Sequence, residues 1–426
     1  MSNRQRIFLN PSSHSKRTSR FVLNGRGVLD CSSMHLEITY KGDEAEMAAS
    51  HFYPRSGAYA LIDDVQIIKN GREVSYLNNV GAFAALKSMT VRDEKRHSAK
   101  TKGSLSFEVP KIGEARGYLT QSNTQSNANL LFANYPQYSD SWADVNLNTG
   151  SNPLLPLQFI MQIFERNPYL NLDVDKYEII INWASSNMFI GNAPSFEISP
   201  ETRLIYETNV NPDVVKDVPK MLMPWKEVRA STFIIPQLTA GSSDTQLIPL
   251  RLSNFDAEAL FIQFNVSTTT ALWGTGHSVP FSIGDYEINL IVNDSAIYSK
   301  PITQEAMRVY HLDRAASVFG TDVFKLPAMT EFTYTQDKTA VAAAITQGDP
   351  GCFYRGNSAH MAPMVTSGNA VATTSPFHYL GFDLRNDGLP TFLNQSGIFL
   401  QLIRSGSPFE IPTITGTAFA ISRRAE

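Results

Sequence analysis

Two acidic pairs, Asp63-Asp64 and Asp173 with Asp175, are the first candidates for ion or acid–base chemistry. Asp173 and Asp175 stand two residues apart, so on an extended segment both carboxylates share one face, the geometry of a Ca²⁺ ligand pair. No further acidic ligand lies close by in sequence. Asp63 and Asp64 precede a strand-like run and would point to opposite faces, as in a solvated turn. The eight histidines form no HxH, HxxxH or HExxH pair, so a zinc or cupin-type site lacks its usual basis. Neither Asn24-Gly-Arg-Gly27 nor Gly274-Thr-Gly276 has the length or the Lys of a phosphate loop. Gly274-Thr-Gly-His-Ser278 lacks the flanking glycines of a nucleophile elbow. Cys31 and Cys352 match no metal or redox spacing, and read as reduced, buried thiols of a protein folded in a reducing compartment. The sequence therefore predicts no catalytic residue, no metal and no cofactor.

Charge is more informative. The net charge of -4 gives no global basic field for nucleic acid, and the charged fraction of 18% is below the usual quarter or so. Few charges on a soluble chain imply surface buried against other chains. No acidic residue precedes Asp30, whereas Arg4, Arg6, Lys16, Arg17, Arg20 and Arg26 all do. Residues 1–20 thus read as a basic arm, either a solvated terminus or a contact for an anionic partner, with Arg4, Arg6, Lys16, Arg17 and Arg20 as its candidate residues. The densest charge cluster, Arg92 to Lys102, reads as an exposed loop or a contact with a neighbouring subunit or an internal component. His97 and His311 are candidates to titrate near neutral pH.

Most of the chain reads as short strands: Phe21–Leu23, His35–Tyr40, Val65–Ile68, Tyr177–Trp183, Phe261–Val266, Tyr286–Val292 and Ile398–Ile403. Asn70-Gly71 between two of them predicts a type I′ hairpin, which needs two residues tolerant of positive φ. Helical spacing appears at Tyr76, Val80, Phe83 and Leu86, and again at Ile302, Ala306, Val309 or Tyr310, Leu312 and Ala316. Ala340 to Thr374 is rich in small residues and reads as a long surface tower or subunit clasp. The N-terminus lacks a signal-peptide apolar run and no stretch reaches the ~18 apolar residues of a membrane span, so folding in a cytosol-like space without Sec export is expected.

The chain also repeats. Phe21–Leu23 with Leu36–Tyr40 resembles Phe233–Ile235 with Ile248–Leu252, Ile67–Gly71 resembles Leu290–Asp294, and Ile179–Ile181 resembles Ile398–Leu400. The shared order and a nearly constant offset argue for a duplicated module of about 200 residues. This divides the chain into an arm (1–20), a first module (21–215) and a second (216–426), with the seam near Asn209 to Pro224.

The segment Asn152-Pro-Leu-Leu-Pro-Leu-Gln-Phe159, followed by Phe164-Glu-Arg-Asn-Pro168, Leu172 and Tyr177–Ile181, resembles a stretch of double jelly-roll major capsid proteins. That lineage includes the coats of adenoviruses, giant algal viruses, virophages and Polinton-like viruses. The Arg-Asn-Pro turn is kept, while Tyr169-Leu-Asn-Leu172 departs from the algal-virus pattern. The resemblance implies an all-β fold of two tandem eight-stranded antiparallel jelly rolls with short helices in the connections. It further implies a homotrimer acting as a pseudo-hexameric capsomer in an icosahedral virion shell, meeting neighbouring capsomers and minor (penton) capsid proteins. The arm would then face the genome or an internal membrane in a non-specific contact. The alternative is a non-catalytic carbohydrate-binding or adhesive double β-sandwich, a spike or lectin, for which Trp142 with Asp140 and Asp144, or Trp273 with His277, are candidates.

Overall fold

The computed structural model describes residues 4–42, 50–52, 57–90, 154–184, 189–191, 196–210, 225–237, 239, 241–252, 255–268, 277–280, 286–292, 294–303, 305–319, 379–385, 392–393, 397–404 and 414–424. In the first half the strands are β1 (Arg4–Leu9), β2 (Ser13–His14), β3 (Thr18–Val22), β4 (Val28–Glu37), β5 (Tyr40–Gly42), β6 (Ser50–Phe52), β7 (Ile62–Lys69) and β8 (Arg72–Asn78). Helix α1 (Val80–Thr90) precedes β9 (Leu154–Pro156), and helix α2 (Gln162–Arg166) precedes β10 (Tyr169–Asn171). The half is completed by β11 (Tyr177–Trp183), β12 (Phe189–Gly191), β13 (Phe196–Ile198) and β14 (Arg203–Asn209). The second half opens with β15 (Trp225–Ile235), β16 (Asp244–Leu250), β17 (Phe255–Asp256), β18 (Ala259–Thr268), β19 (His277–Pro280), β20 (Glu287–Val292) and β21 (Ser295–Ala296). Helix α3 (Glu305–Ala316) then leads to β22 (Tyr379–Asp383), β23 (Phe392–Leu393), β24 (Ile398–Arg404) and β25 (Ile414–Arg424).

Each half is an antiparallel sandwich with the same wiring. One sheet runs β1-β14-β4, with β9 and β10 both on β4, and faces a sheet β2-β3-β11-β7-β8. The second half repeats this as β15-β25-β18-β22 against β16-β24-β20-β21. Counting only the eight shared positions, the sheets read 1-8-3-6 and 2-7-4-5 in both halves. That order is the jelly roll. The expected fold of two tandem eight-stranded jelly rolls with short connecting helices is what the structure shows.

Local chemistry explains why these segments fold as they do. Along β11, Tyr177, Ile179, Ile181 and Trp183 are buried, and along β14 Leu204, Tyr206 and Thr208 are, so every second residue enters the first core. Asn70 and Gly71 adopt φ of 51° and 81° with Lys69 opposite Arg72, the predicted I′ hairpin. Both predicted helices form, but each starts later than its apolar spacing: Tyr76 belongs to β8, and Ile302 bridges Ile288. Among the described residues no helix is long and apolar enough to cross a membrane.

The topology also sorts the internal repeats. The turn after Ile67 and the turn after Leu290 both join strands four and five of their jelly rolls, and Ile179 and Ile398 both lie on strand seven. Phe21 and Phe233 do not correspond, since β3 is a second strand and β15 a first strand. Short apolar strands of similar composition produced that false pairing. Residues 4–20, read as an arm, supply β1, β2 and the start of β3. Most of the expected seam, residues 211–224, lies outside the described residues.

Helix α3 lies directly on β22 because Gly381 has no side chain. A Cβ there would meet Leu312 Cα at 2.7 Å and Ala315 Cβ at 2.9 Å. The substitution Gly381→Ala should therefore overpack the helix–sheet contact and cost about 1–3 kcal/mol, read as a lower denaturant midpoint.

Candidate functional site

The described residues that tie the two jelly rolls together form a seam on the outer face of the β15-β25-β18-β22 sheet. Phe261 and Phe419 stand opposite each other across β18 and β25. Phe319, just past α3, stacks on Phe261 with centroids 5.4 Å apart. Phe83 of α1 comes from the first jelly roll and lies 5.7 Å from Phe419 and 6.2 Å from Phe319. One turn further along α1, Lys87 is buried with its Nζ 2.6 Å from Glu165 Oε2 on α2. Gln162 Nε2 donates to the same oxygen, and the ammonium sits 5.5 Å from the Phe159 ring centroid. Helix α2 packs on β15, and Asn78 Nδ2 donates to Ala230 O across the seam at 3.4 Å.

A second charged group flanks this seam. Lys226 Nζ donates to Glu258 at 3.3 Å and to the Val318 carbonyl, and Arg385 Nη1 lies 3.9 Å from Glu258. Burial pulls the Lys226 pKa below its ordinary value; Glu258 opposes this, while Arg166 and Arg385 add to it. These residues were not singled out in the sequence, because each pair joins distant segments.

Of the basic residues before Asp30, Arg4 and Arg6 lie on β1 and Arg20 on β3, while Lys16, Arg17 and Arg26 lie in the bends on either side of β3. Arg4, Arg6 and Phe8 point outward from β1, while Ile7 and Leu9 pack on the core. Arg6 Nη2 donates to Glu207 Oε1 at 2.8 Å, and Arg4 Nη1 lies 4.0 Å from both Glu207 and Asp30. Lys16 Nζ is 3.5 Å from Glu197, and Arg20 donates twice to Glu178. Arg17 and Arg26 are exposed. His14 Nε2 donates to the Ile198 carbonyl at 3.0 Å, and its Nδ1 lies 2.8 Å from the Ser19 hydroxyl, from which the neutral ring accepts. Trp183 Nε1 in turn donates to that hydroxyl at 3.0 Å, which anchors β2.

The candidate ion ligands are engaged in folding contacts. Asp173 Oδ1 accepts from Gly27 N at 2.9 Å, and Asp175 accepts from Asn70 Nδ2 and pairs with Lys69. Asp63 and Asp64 lie within β7, and Asp64 accepts from Asn182 at 2.8 Å; burial raises both carboxyls. Among the described residues no three His, Cys, Asp or Glu come together as a metal site. Cys31 is buried, and burial, helped by Asp30, pushes its thiol far above its ordinary value, so it is not a reactive thiolate. His311 is buried on α3 with Nδ1 3.1 Å from Tyr298 Oη. Arg92–Lys102 with His97, Trp142 with Asp140 and Asp144, Trp273, Cys352 and Ala340–Thr374 lie outside the described residues; His277 contributes backbone to β19.

The fold defines the class: this chain is a double jelly roll. No protein-family model matches the sequence, and no curated protein does. Two solved structures share the architecture over nearly its whole length. A chain of the Sputnik virophage aligns with a TM-score of 0.53 at 10% identity, covering 99% of this chain and 85% of that one. The mavirus major capsid protein aligns with a TM-score of 0.53 at 10% identity, covering 98% and 87% respectively.

Two outcomes follow from the site. Removing one partner of the buried pair, as in Lys87→Ala, should cost about 3–5 kcal/mol by denaturant unfolding, while Lys87→Met with Glu165→Leu should recover most of that loss. The Arg20 hydrogen bond, then Lys176, hold the Glu178 carboxyl below its ordinary value. That stabilisation is fully present above the unfolded carboxyl pKa and is lost as pH falls through the lower, folded one. Glu178→Gln should therefore flatten the acid limb of the stability–pH curve by no more than about 1 kcal/mol, since Arg20 is half exposed.

Proposed function

We propose that this chain is a major capsid protein, whose trimers tile the shell of an icosahedral virion as pseudo-hexameric capsomers. The observation that carries the reading is the duplication itself. Two jelly rolls of identical strand order in one chain mean that three copies present six similar domains around an axis, which approximates a hexagon and can pack edge to edge. The mavirus protein that shares this fold is a major capsid protein. The low charged fraction supports extensive burial against neighbours. The proposed role is structural, and of the carboxylates singled out for chemistry Asp64, Asp173 and Asp175 are engaged in contacts within the chain.

Neighbouring capsomers and minor capsid proteins at the vertices are the expected partners, and the virion shell the expected location. Of the basic N-terminal residues, Arg4, Arg6, Lys16 and Arg20 share carboxylates. A non-specific contact with genome or internal membrane would thus fall mainly to the exposed Arg17, and would weaken steeply with salt. Light scattering of the purified chain at physiological salt should give three times 47.3 kDa, stable to dilution. A persistent monomer would overturn the proposal.

A further inference from the structure

The seam inside the chain has a counterpart on its surface. In the second jelly roll, the outer face formed by its first and last strands is covered: α2 packs on β15, and Phe83 of α1 caps Phe419 of β25. Phe261 and Phe419 are 0% exposed as a result. In the first jelly roll the corresponding strands are β1 and β14, and their outer face carries an exposed aromatic side chain, Phe8. Phe8 there is 56% exposed and stands opposite Ile205, with the Arg203 guanidinium 5.1 Å from its ring.

The capping element has a counterpart too. Helix α1 connects strands five and six of its jelly roll, and α3 holds the same place in the second. Along α1, Val80, Phe83, Leu86 and Lys87 are all buried. Helix α3 instead leaves Met307 44% and Tyr310 49% exposed, three residues apart on one face. Arg314 donates to Tyr310 Oη at 3.0 Å with its guanidinium 5.5 Å from the ring, which holds that side chain in place.

We propose that the α3 face of one copy, Met307 and Tyr310, seats on the β1–β14 face of a second copy, around Phe8 and Ile205. The occupant is argued from continuity: the contact between copies repeats the contact already made within the chain, first half on second, as second half on first. Two different patches meet, so the interface is heterologous, and it closes into a ring of three where each copy turns by a third of a circle, as the capsomer reading requires. This rests on the capsomer reading and assigns its surfaces.

The test uses the full chain with Phe8→Glu and Tyr310→Glu, followed by sedimentation, with thermal melting as the check on folding. Both side chains are exposed, so the variants should melt with the parent. Each alone should raise the concentration for half-assembly by roughly a hundredfold or more, leaving the 47.3 kDa chain. Mixed in equal amounts they should form a two-chain species, because each keeps the patch that the other lacks. Should a Glu variant melt early, Phe8→Ser and Tyr310→Ser carry the same test. An assembled parent whose folded variants also assemble, or a mixture without the two-chain species, overturns the assignment and leaves the capsomer reading standing. A monomeric parent overturns the capsomer reading itself.

Discussion

The second jelly roll depends on a contact that it does not make by itself. A sheet in an antiparallel sandwich ordinarily keeps one face for water. Here Ala259 to Phe264 on β18 and Ala418 to Ile421 on β25 are buried without alternation, so both faces of the central strands need cover. Phe319 and α3 supply part of that cover, and Phe83 and α2, from the other half, add to it. Burying an aromatic side chain of this size stabilises by about 2–3 kcal/mol, more than most polar contacts offer. The orientation of α1, the placement of α2 on β15 and the burial of Lys87 all follow from that requirement.

Electrostatics refines what the aromatic cluster sets. Lys87 and Glu165 lie under a low-dielectric layer, where each ion needs its partner. Such a pair adds little net stability over an apolar one, but it admits a single alignment of α1 against α2. On the outer face of the first sheet the pattern differs. There Arg6 with Glu207 and Arg203 with Glu37 lace β1, β14 and β4 together in partial contact with water.

Much of this was legible in the sequence wherever the cause is local. The Asn70-Gly71 turn follows from two residues that accept positive φ, and both helices follow from apolar spacing. Two of the three internal repeats fall on equivalent strands for the same reason. Strand β1 was not legible: Arg4–Leu9 alternates basic with apolar residues weakly, and it is a strand because β14 lies beside it. The seam was equally hidden. Lys87 in sequence is an ordinary lysine on a helix, and only its meeting with Glu165, 78 positions away, makes it a core residue.

The pairing of first with last strand in each half also has a kinetic consequence. Arg4 sits opposite Asn209, and Trp225 opposite Arg424, so each barrel is zipped shut by residues about as far apart as its sequence allows. Such non-local ladders raise contact order and slow the search for the native state. During synthesis β1 would emerge with no strand to join until β14 followed it, and the apolar faces of β18 and β25 would wait for a completed first barrel. Chains held in that interval expose sticky edges at the high local concentration that an assembling shell requires. Folding and assembly would then compete for the same surfaces, and completing the first barrel early is what keeps that competition in order.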